Sequence, residues 1–206
     1  MANMERRPIE TRNKKWAQKL AAFIAGLGIS PNSISVSSSF FAILTLGSLY
    51  LYSDGMNPIW LIAAIATIQL RLLANLFDGM VAIEFNKKSK MGDVYNDLPD
   101  RISDCLVLIG FSFVLKNSKW GVELSYLAAL VSVMTAYIRI LGSSLGVKDL
   151  FLGPMAKQHR MALITACCLI GIFWQGIFYP MIFILNIGLM ITCVRRVQKI
   201  NRALAV

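Results

Sequence analysis

Six acidic side chains crowd one stretch of the chain, ANLFDGMVAIEFNKKSKMGDVYNDLPDRISD from Ala74 to Asp104, which lies among long apolar runs. They are Asp78, Glu84, Asp93, Asp97, Asp100 and Asp104. Carboxylates among apolar spans are costly and face a cavity or a bound cation. Their oxygens are the ligand type that Mg²⁺, Ca²⁺ and Mn²⁺ prefer. At 100° per residue, Asp93, Asp97, Asp100 and Asp104 fall within about 60° of one another on a helix, with Asn96 roughly 40° beyond. Arg71, Asn75 and Asp78 line one face of the preceding segment at i, i+4 and i+7. Glu84 and Asp93 stand nearer the membrane interface and read as solvated. Pro99 frees the Tyr95 carbonyl and predicts a kink in the second acidic helix.

The elements that must position these groups are membrane helices. Hydrophobic residues make up 56% of the 206 and the mean hydropathy is +0.61, too apolar for an ordinary soluble domain. The pattern predicts an all-α polytopic protein with about six spans: 33–53, 58–83, 91–116, 120–145, 160–178 and 179–194. The last two are expected to meet at a tight turn near Tyr179-Pro180. The whole of 1–206 reads as one domain: a basic interfacial segment over 1–32, transmembrane helices over 33–194 and a basic tail over 195–206. Before the first span, Trp16, Leu20, Phe23, Ile24 and Leu27 share one face, which predicts a helix lying in the interface. The N-terminal apolar run is short and has no small-residue cleavage pattern, so a signal peptide is not expected.

Charge gives the orientation. Sixteen basic residues fall on one side of a six-span chain: Arg6, Arg7, Arg12, Lys14, Lys15, Lys19, Lys87, Lys88, Lys90, Lys148, Lys157, Arg160, Arg195, Arg196, Lys199 and Arg202. Only Lys116 and Lys119 fall on the other. The positive-inside bias places both termini in the cytoplasm. The net charge of +10 fits anionic lipid headgroups; nucleic acid is not expected as a partner, because no basic soluble domain exists to carry it. Cys105, Cys167, Cys168 and Cys193 lie in apolar spans without CxxC spacing, which points to packing rather than zinc or disulfides. The single histidine, His159, lies in a basic loop.

The spacing Asn75-x2-Asp78-Gly79-x2-Ala82-x9-Gly92-x3-Asn96-x3-Asp100 resembles the signature of the CDP-alcohol phosphatidyltransferases, D-x2-D-G-x2-A-R-x8-G-x3-D-x3-D. The register holds across the motif, and Asp78, Gly79, Ala82, Gly92 and Asp100 match. Asn75 and Asn96 stand where the first and third Asp are expected, and Ile83 where the Arg is. The two Asn, followed at once by Asp97, resemble a divergent bacterial branch of the family. ISPNSIS at 29–35 is similar to the TPNxIT segment that leads the family's chain into its first span.

The resemblance implies an enzyme of phospholipid synthesis in the bacterial inner membrane, with its active site on the cytoplasmic side. A small alcohol attacks the lipid-bearing phosphate of a CDP-lipid such as CDP-diacylglycerol, and CMP leaves. One or two Mg²⁺ or Mn²⁺ ions are implied as cofactor, and a homodimer as the assembly. Asp78 is implied as a metal ligand and Asp100 as a metal ligand and the base. Asn75 and Asn96 would ligate through amide oxygens. Gly79, Ala82 and Gly92 would lie along the nucleotide. Two divalent ions carry four positive charges, which four aspartates would balance; here Asp78 and Asp100 supply only two negatives. The site is therefore expected to hold one ion tightly or to borrow Asp97 or Asp104. Asp104 is equally readable as an ion partner of Arg71 or Arg101. Arg139, deep in the fourth span, with Lys157 and Arg160 at the mouth of the fifth, forms the expected pocket for a phosphorylated acceptor such as glycerol phosphate. For Lys157 and Arg160 headgroup contact is the alternative.

Two other classes stay open on the residues alone. Asn75, Ile83 and Asn96 suit a non-catalytic scaffold that binds CDP-lipid or anionic lipid. A small ion transporter would explain the carboxylates but not their spacing. The orientation is testable directly. Reporter fusions after Val206 should be active only as cytoplasmic reporters; a fusion exported across the membrane would contradict the six-span reading.

Overall fold

The computed structural model describes residues 10–85, 87 and 91–205. The orientation argument's Arg6, Arg7, Lys88 and Lys90 lie outside the described residues. Seven α-helices follow a short 3-10 turn at Glu10–Asn13: α1 (Lys15–Gly26), α2 (Pro31–Gly55), α3 (Ile59–Glu84), α4 (Gly92–Val114), α5 (Gly121–Ser144), α6 (Lys157–Gly171) and α7 (Phe178–Leu204). The fold class expected from sequence, all-α and membrane-spanning, is the one observed.

Local chemistry sets the helix limits. Ser30 caps α2 by accepting a hydrogen bond from the Ser33 amide at 3.1 Å, and Pro31 follows at the first helical position, where its missing N–H costs nothing. α2 ends at Met56 in the left-handed region, φ 52°. α4 runs unbroken through Pro99.

α2 is the central post: α3 and α4 pack along it, α5 on α4, α7 on α5, and α6 on α3 and α7. Its buried face is small and hydroxylic, with Ser35, Ser38, Ala42, Thr45 and Ser48. Such residues let helix backbones approach closely in a membrane. Their hydroxyls are satisfied locally, as in Ser38 Oγ to the Ser35 carbonyl at 2.7 Å and Ser48 Oγ to Leu44 at 2.8 Å. Gly110 of α4 marks the closest approach: a Cβ there would stand 2.7 Å from Leu49 Cδ1 and 3.5 Å from the Leu46 backbone. The apolar core runs through Leu49, Ile68, Leu108, Phe111, Phe178 and Leu185. Large apolar side chains such as Phe40, Ile62, Leu130 and Ile187 are exposed on the outside, as lipid-facing positions are.

One expectation changes and another is not confirmed. The six-span count is not confirmed: among the described residues four segments are long and apolar enough to cross by length and composition, α2, α3, α5 and Gln175–Leu204. α4 carries Asp93, Asp97, Asp100, Arg101 and Asp104 in its N-terminal half, and α6 has only 15 residues, about 22 Å against a hydrocarbon thickness of about 30 Å. The final turn is not at Tyr179-Pro180. α6 stops at Gly171, a 3-10 turn occupies Gln175–Ile177 and α7 opens at Phe178; Pro180 sits in the first turn of α7, where proline is tolerated. α7 continues through the basic residues Arg195, Arg196, Lys199 and Arg202 to Leu204.

α1 presents most of the expected face. Trp16, Leu20, Phe23 and Leu27 are exposed, Ile24 is half-buried and packs with the alanine row, and that row, Ala17, Ala21 and Ala25, is buried against α3. Trp16 meets Phe77 edge-on at 6.4 Å, and Lys87 Nζ donates to the Ala25 carbonyl at 2.8 Å. Trp60, Trp120 and Trp174 lie at the opposite helix ends. The four Trp thus mark two interfaces, as amphipathic rings do at membrane boundaries.

Candidate active site

Side chains from the C-terminal half of α3, from α4 between Asp97 and Asp104, and from the first turn of α6 meet in one cluster. Here the helical spacing of the sequence becomes contact between helices. On α3, Arg71 and Asn75 bond α4, while Asp78, on the same stripe by its i, i+4, i+7 spacing, bonds Ser35 of α2. Asn75 Nδ2 donates to Asp100 Oδ1 at 3.0 Å. Arg71 donates to Asp104 Oδ1 at 2.6 Å and reaches Asp100 Oδ1 at 3.5 Å. α6 adds two cations in its first turn. Lys157 Nζ lies 2.5 and 2.6 Å from the two oxygens of Asp100, and Arg160 donates to Asp104 Oδ2.

Burial makes these pairs consequential. Arg71, Arg160 and Asp104 have side chains 0–2% exposed, where attraction between opposite charges is weakly screened and an unpaired charge is costly. Cations in the first turn of α6 also oppose the helix macrodipole, so their positions reflect α4 rather than the needs of α6. Asp104, readable from sequence as a metal contact or an ion partner, has both oxygens engaged by guanidinium groups.

Asp78 is buried beside this pair. Its Oδ2 accepts from Ser35 Oγ at 2.6 Å, the Gly79 backbone amide also bonds its carboxylate, and it lies within electrostatic reach of Asp100 and Lys157. Ser35 was not singled out as a functional residue in the sequence, although its signal was present: it is the last residue of the ISPNSIS segment. Ala82 and Gly92 are half-buried on the same flank, whereas Asn96, Asp93 and Glu84 are exposed.

The expected phosphate pocket is arranged differently. Lys157 and Arg160 do not gather around Arg139. Carboxylates fixed on α4 hold them, since a desolvated ion pair outcompetes a solvated cation. Arg139 instead pairs with Asp97 at 3.0 Å and lies 5.4 Å over the Phe151 ring. Arg101, read only as a partner for Asp104, joins Asp97 at 3.3 Å and approaches Asp100 Oδ2 at 3.6 Å. His159 is exposed and its ring nitrogen meets the Pro154 carbonyl. Arg196, counted in the tail, is buried and donates to the Leu152 and Thr135 carbonyls, which ties the α5–α6 loop to α7.

The donor set fits a hard divalent cation. Asp78 and Asp100 offer carboxylate oxygens, and Asn75 and Asn96 offer neutral amide oxygens of the type such ions accept. The fit is sparing: among the described residues no three His, Cys, Asp or Glu converge as a metal cluster.

Comparison with known proteins gives a consistent picture. The family model for CDP-alcohol phosphatidyltransferase matches residues 28–195. An uncharacterized protein of Aquifex aeolicus is 31% identical over 191 residues, covering 92% of this chain and 91% of its own. The archaetidylinositol phosphate synthase of Pyrococcus horikoshii is 24% identical over 196 residues, covering 95% and 96%. Among solved structures, the phosphatidylinositol phosphate synthase of Mycobacterium tuberculosis with CDP-DAG bound superposes with a TM-score of 0.76 at 18% identity, over 91% of this chain and 94% of that one. The same enzyme in complex with manganese and citrate gives 0.75 at 19% identity, over 89% and 88%. At these identities the structures show a shared fold.

The buried charges yield a stability prediction. Asp104→Asn keeps the shape of the side chain but strips Arg160 of its partner and Arg71 of its nearest one. It should destabilise the protein by roughly 3–5 kcal/mol, read as a large fall in thermal midpoint in detergent. An unchanged midpoint would mean that the two arginines are not held by Asp104.

Proposed function

The chain belongs to the CDP-alcohol phosphatidyltransferase family, and we propose that it is an active member which moves a phosphatidyl group from CDP-diacylglycerol to a phosphorylated small alcohol, releasing CMP. The family is divalent-metal dependent, and its members work in phospholipid biosynthesis within the membrane. The observation that carries the reading is Asp100, a buried carboxylate oriented from three sides between α3, α4 and α6.

The acceptor hydroxyl oxygen attacks the lipid-bearing phosphorus. A new P–O bond forms, the P–O bond to CMP breaks, and the hydroxyl proton passes to a base. Asp100 is that base. A carboxylate has about four acceptor directions. Lys157 and Asn75 occupy both on Oδ1, and Lys157 takes one on Oδ2. The fourth direction, on Oδ2, is approached by Arg101 at 3.6 Å, beyond hydrogen-bond distance, and the acceptor hydroxyl would take it there, so geometry precedes proton transfer. Asp78, with the amide oxygens of Asn75 and Asn96, would hold the cation, which when bound supplies positive charge against the diphosphate and the departing phosphate. Ser35 and the Gly79 amide fix Asp78 for that role. Gly79, with Ala82 and Gly92 beside it, leaves the backbone open to the nucleotide.

Asp97 meets two guanidinium groups, Arg101 and Arg139, and leaves one positive charge in excess. An acceptor phosphate would neutralise it, which supports a phosphorylated polyol. Glycerol phosphate fits this chemistry, and the relatives' names add a phosphoinositol product to the class. The cytoplasmic placement of this end rests on the basic residues around it.

Purified protein with radiolabelled CDP-diacylglycerol, Mg²⁺ or Mn²⁺ and a panel of acceptors should release CMP with a phosphorylated polyol. No release with any acceptor would favour the lipid-binding scaffold. Arg139→Ala should raise the acceptor KM or lower kcat by the equivalent of roughly 2–5 kcal/mol and leave CDP-lipid binding largely intact. Equal loss of donor binding, or full activity on an uncharged alcohol in both proteins, would remove Arg139 from the acceptor site.

A further inference from the structure

The carboxylates of the site are already matched by cations before any ligand arrives. Asp78, Asp100 and Asp104 carry three negative charges, and Arg71, Lys157, Arg160 and Arg101, the last 3.6 Å from Asp100 Oδ2, carry four positive ones. All but Asp78 are joined by contacts across α3, α4 and α6, and Asp78 lies within electrostatic reach of Asp100 and Lys157. Two divalent cations would add four positive charges to a largely desolvated set with no net negative charge. The CDP-lipid diphosphate brings about two negative charges, enough for one divalent ion and not for two. The ammonium of Lys157 already spans both oxygens of Asp100, at 2.5 and 2.6 Å. Asn75 turns an N–H rather than an oxygen toward the same carboxylate. At Asp100, therefore, a built-in cation and an amide donor stand where a second metal would need free oxygens.

We propose that Lys157 is the fixed cation of Asp100 in place of a second metal ion, so that the chain takes one divalent ion, held from Asp78, and takes it together with the nucleotide diphosphate. The Asn75 and Asn96 departures and the Lys157 contact then have one explanation: removing two carboxylates and supplying an ammonium both lower the number of divalent ions the site holds. Lys157 is a positioning residue in this account. It neutralises Asp100 without bonding to the substrate and leaves the Oδ2 direction that Arg101 approaches at 3.6 Å for the acceptor hydroxyl. The inference deepens the phosphatidyl-transfer reading and rests on it for the diphosphate.

The test counts metal without turnover. Full-length protein in detergent micelles is titrated with Mn²⁺ by equilibrium dialysis and by electron paramagnetic resonance, with and without CDP as a soluble probe. At saturation one Mn²⁺ per chain is expected, with the spectrum of an isolated ion, and CDP should tighten its binding roughly tenfold or more. Lys157→Met removes a positive charge from this set and frees the oxygens of Asp100, so Mn²⁺ should bind roughly tenfold or more tightly without CDP. Asn75→Asp with Asn96→Asp and Lys157→Met should take two ions with an exchange-coupled spectrum. Two coupled ions in the unaltered chain would overturn the proposal, as would a Lys157→Met protein with unchanged or weaker Mn²⁺ affinity. If Lys157→Met does not fold, Lys157→Gln carries the same comparison, and the count on the unaltered chain stands alone. One Mn²⁺ bound with CDP in a chain that releases no CMP supports this assignment and contradicts only the transfer reading.

Discussion

Asp104 is held between Arg71 of α3 and Arg160 of α6, and the site depends on that contact. A carboxylate and two guanidinium groups, all but fully buried, could not stay ionised singly at this depth. Together they join three helices whose apolar faces alone would permit sliding or rotation. Apolar packing between membrane helices is weakly directional, since lipid tails are as apolar as leucine. Charged pairs are not: they fix register. α6 depends on this most, being short and meeting α4 through its first turn.

The reactive groups follow from that register. Asp100 is one turn before Asp104, so the contact that locks Asp104 also sets the depth and direction of Asp100. Lys157 is three residues before Arg160 and is carried to Asp100 by the same helical step. Asn75 is one turn beyond Arg71 and reaches Asp100 from the other side. Two successive rungs result, one structural and one chemical. Asp78 forms the start of a third with Ser35 of α2, the post around which the other helices pack. The ordering explains how a membrane site with few carboxylates keeps Asp100, the proposed base, oriented: the Asp104 rung holds the helices, and the next one holds Asp100.

Much of this was legible because helical spacing survives folding. Asn75, Asp78, Asp100 and Asp104 were placed on facing arcs by counting residues, and the structure puts Asn75 on Asp100 and Arg71 on Asp104. The alanine row of α1 was hidden inside the amphipathic reading, yet most of the exposed face it implied is the one seen. Contacts between distant helices were harder. Lys157 and Arg160 read from sequence as cations at the mouth of a span, and nothing local distinguishes a lipid-facing cation from one drawn onto a carboxylate 57 or 56 residues earlier. Arg196 looked like part of a cytoplasmic tail because basic residues surround it, but α7 continues and turns it inward to backbone carbonyls. Ser35 was readable only as part of a segment, because a serine's role depends on what its hydroxyl meets. Length and composition do not confirm α4 and α6 as spans, because the charges that make the site dilute their apolar content.

The central claim is that Asp104 and Arg160 act as a unit that holds α6 to α4. A double-mutant cycle in thermal or denaturant unfolding, with Asp104→Leu, Arg160→Met and the pair combined, measures it directly. Either single change leaves a buried charge short of a partner, whereas the pair removes both charges and leaves Arg71 with Asp100. The account predicts that the double variant loses less stability than the sum of the singles, by roughly 1–3 kcal/mol. Additivity within about 0.5 kcal/mol would contradict it.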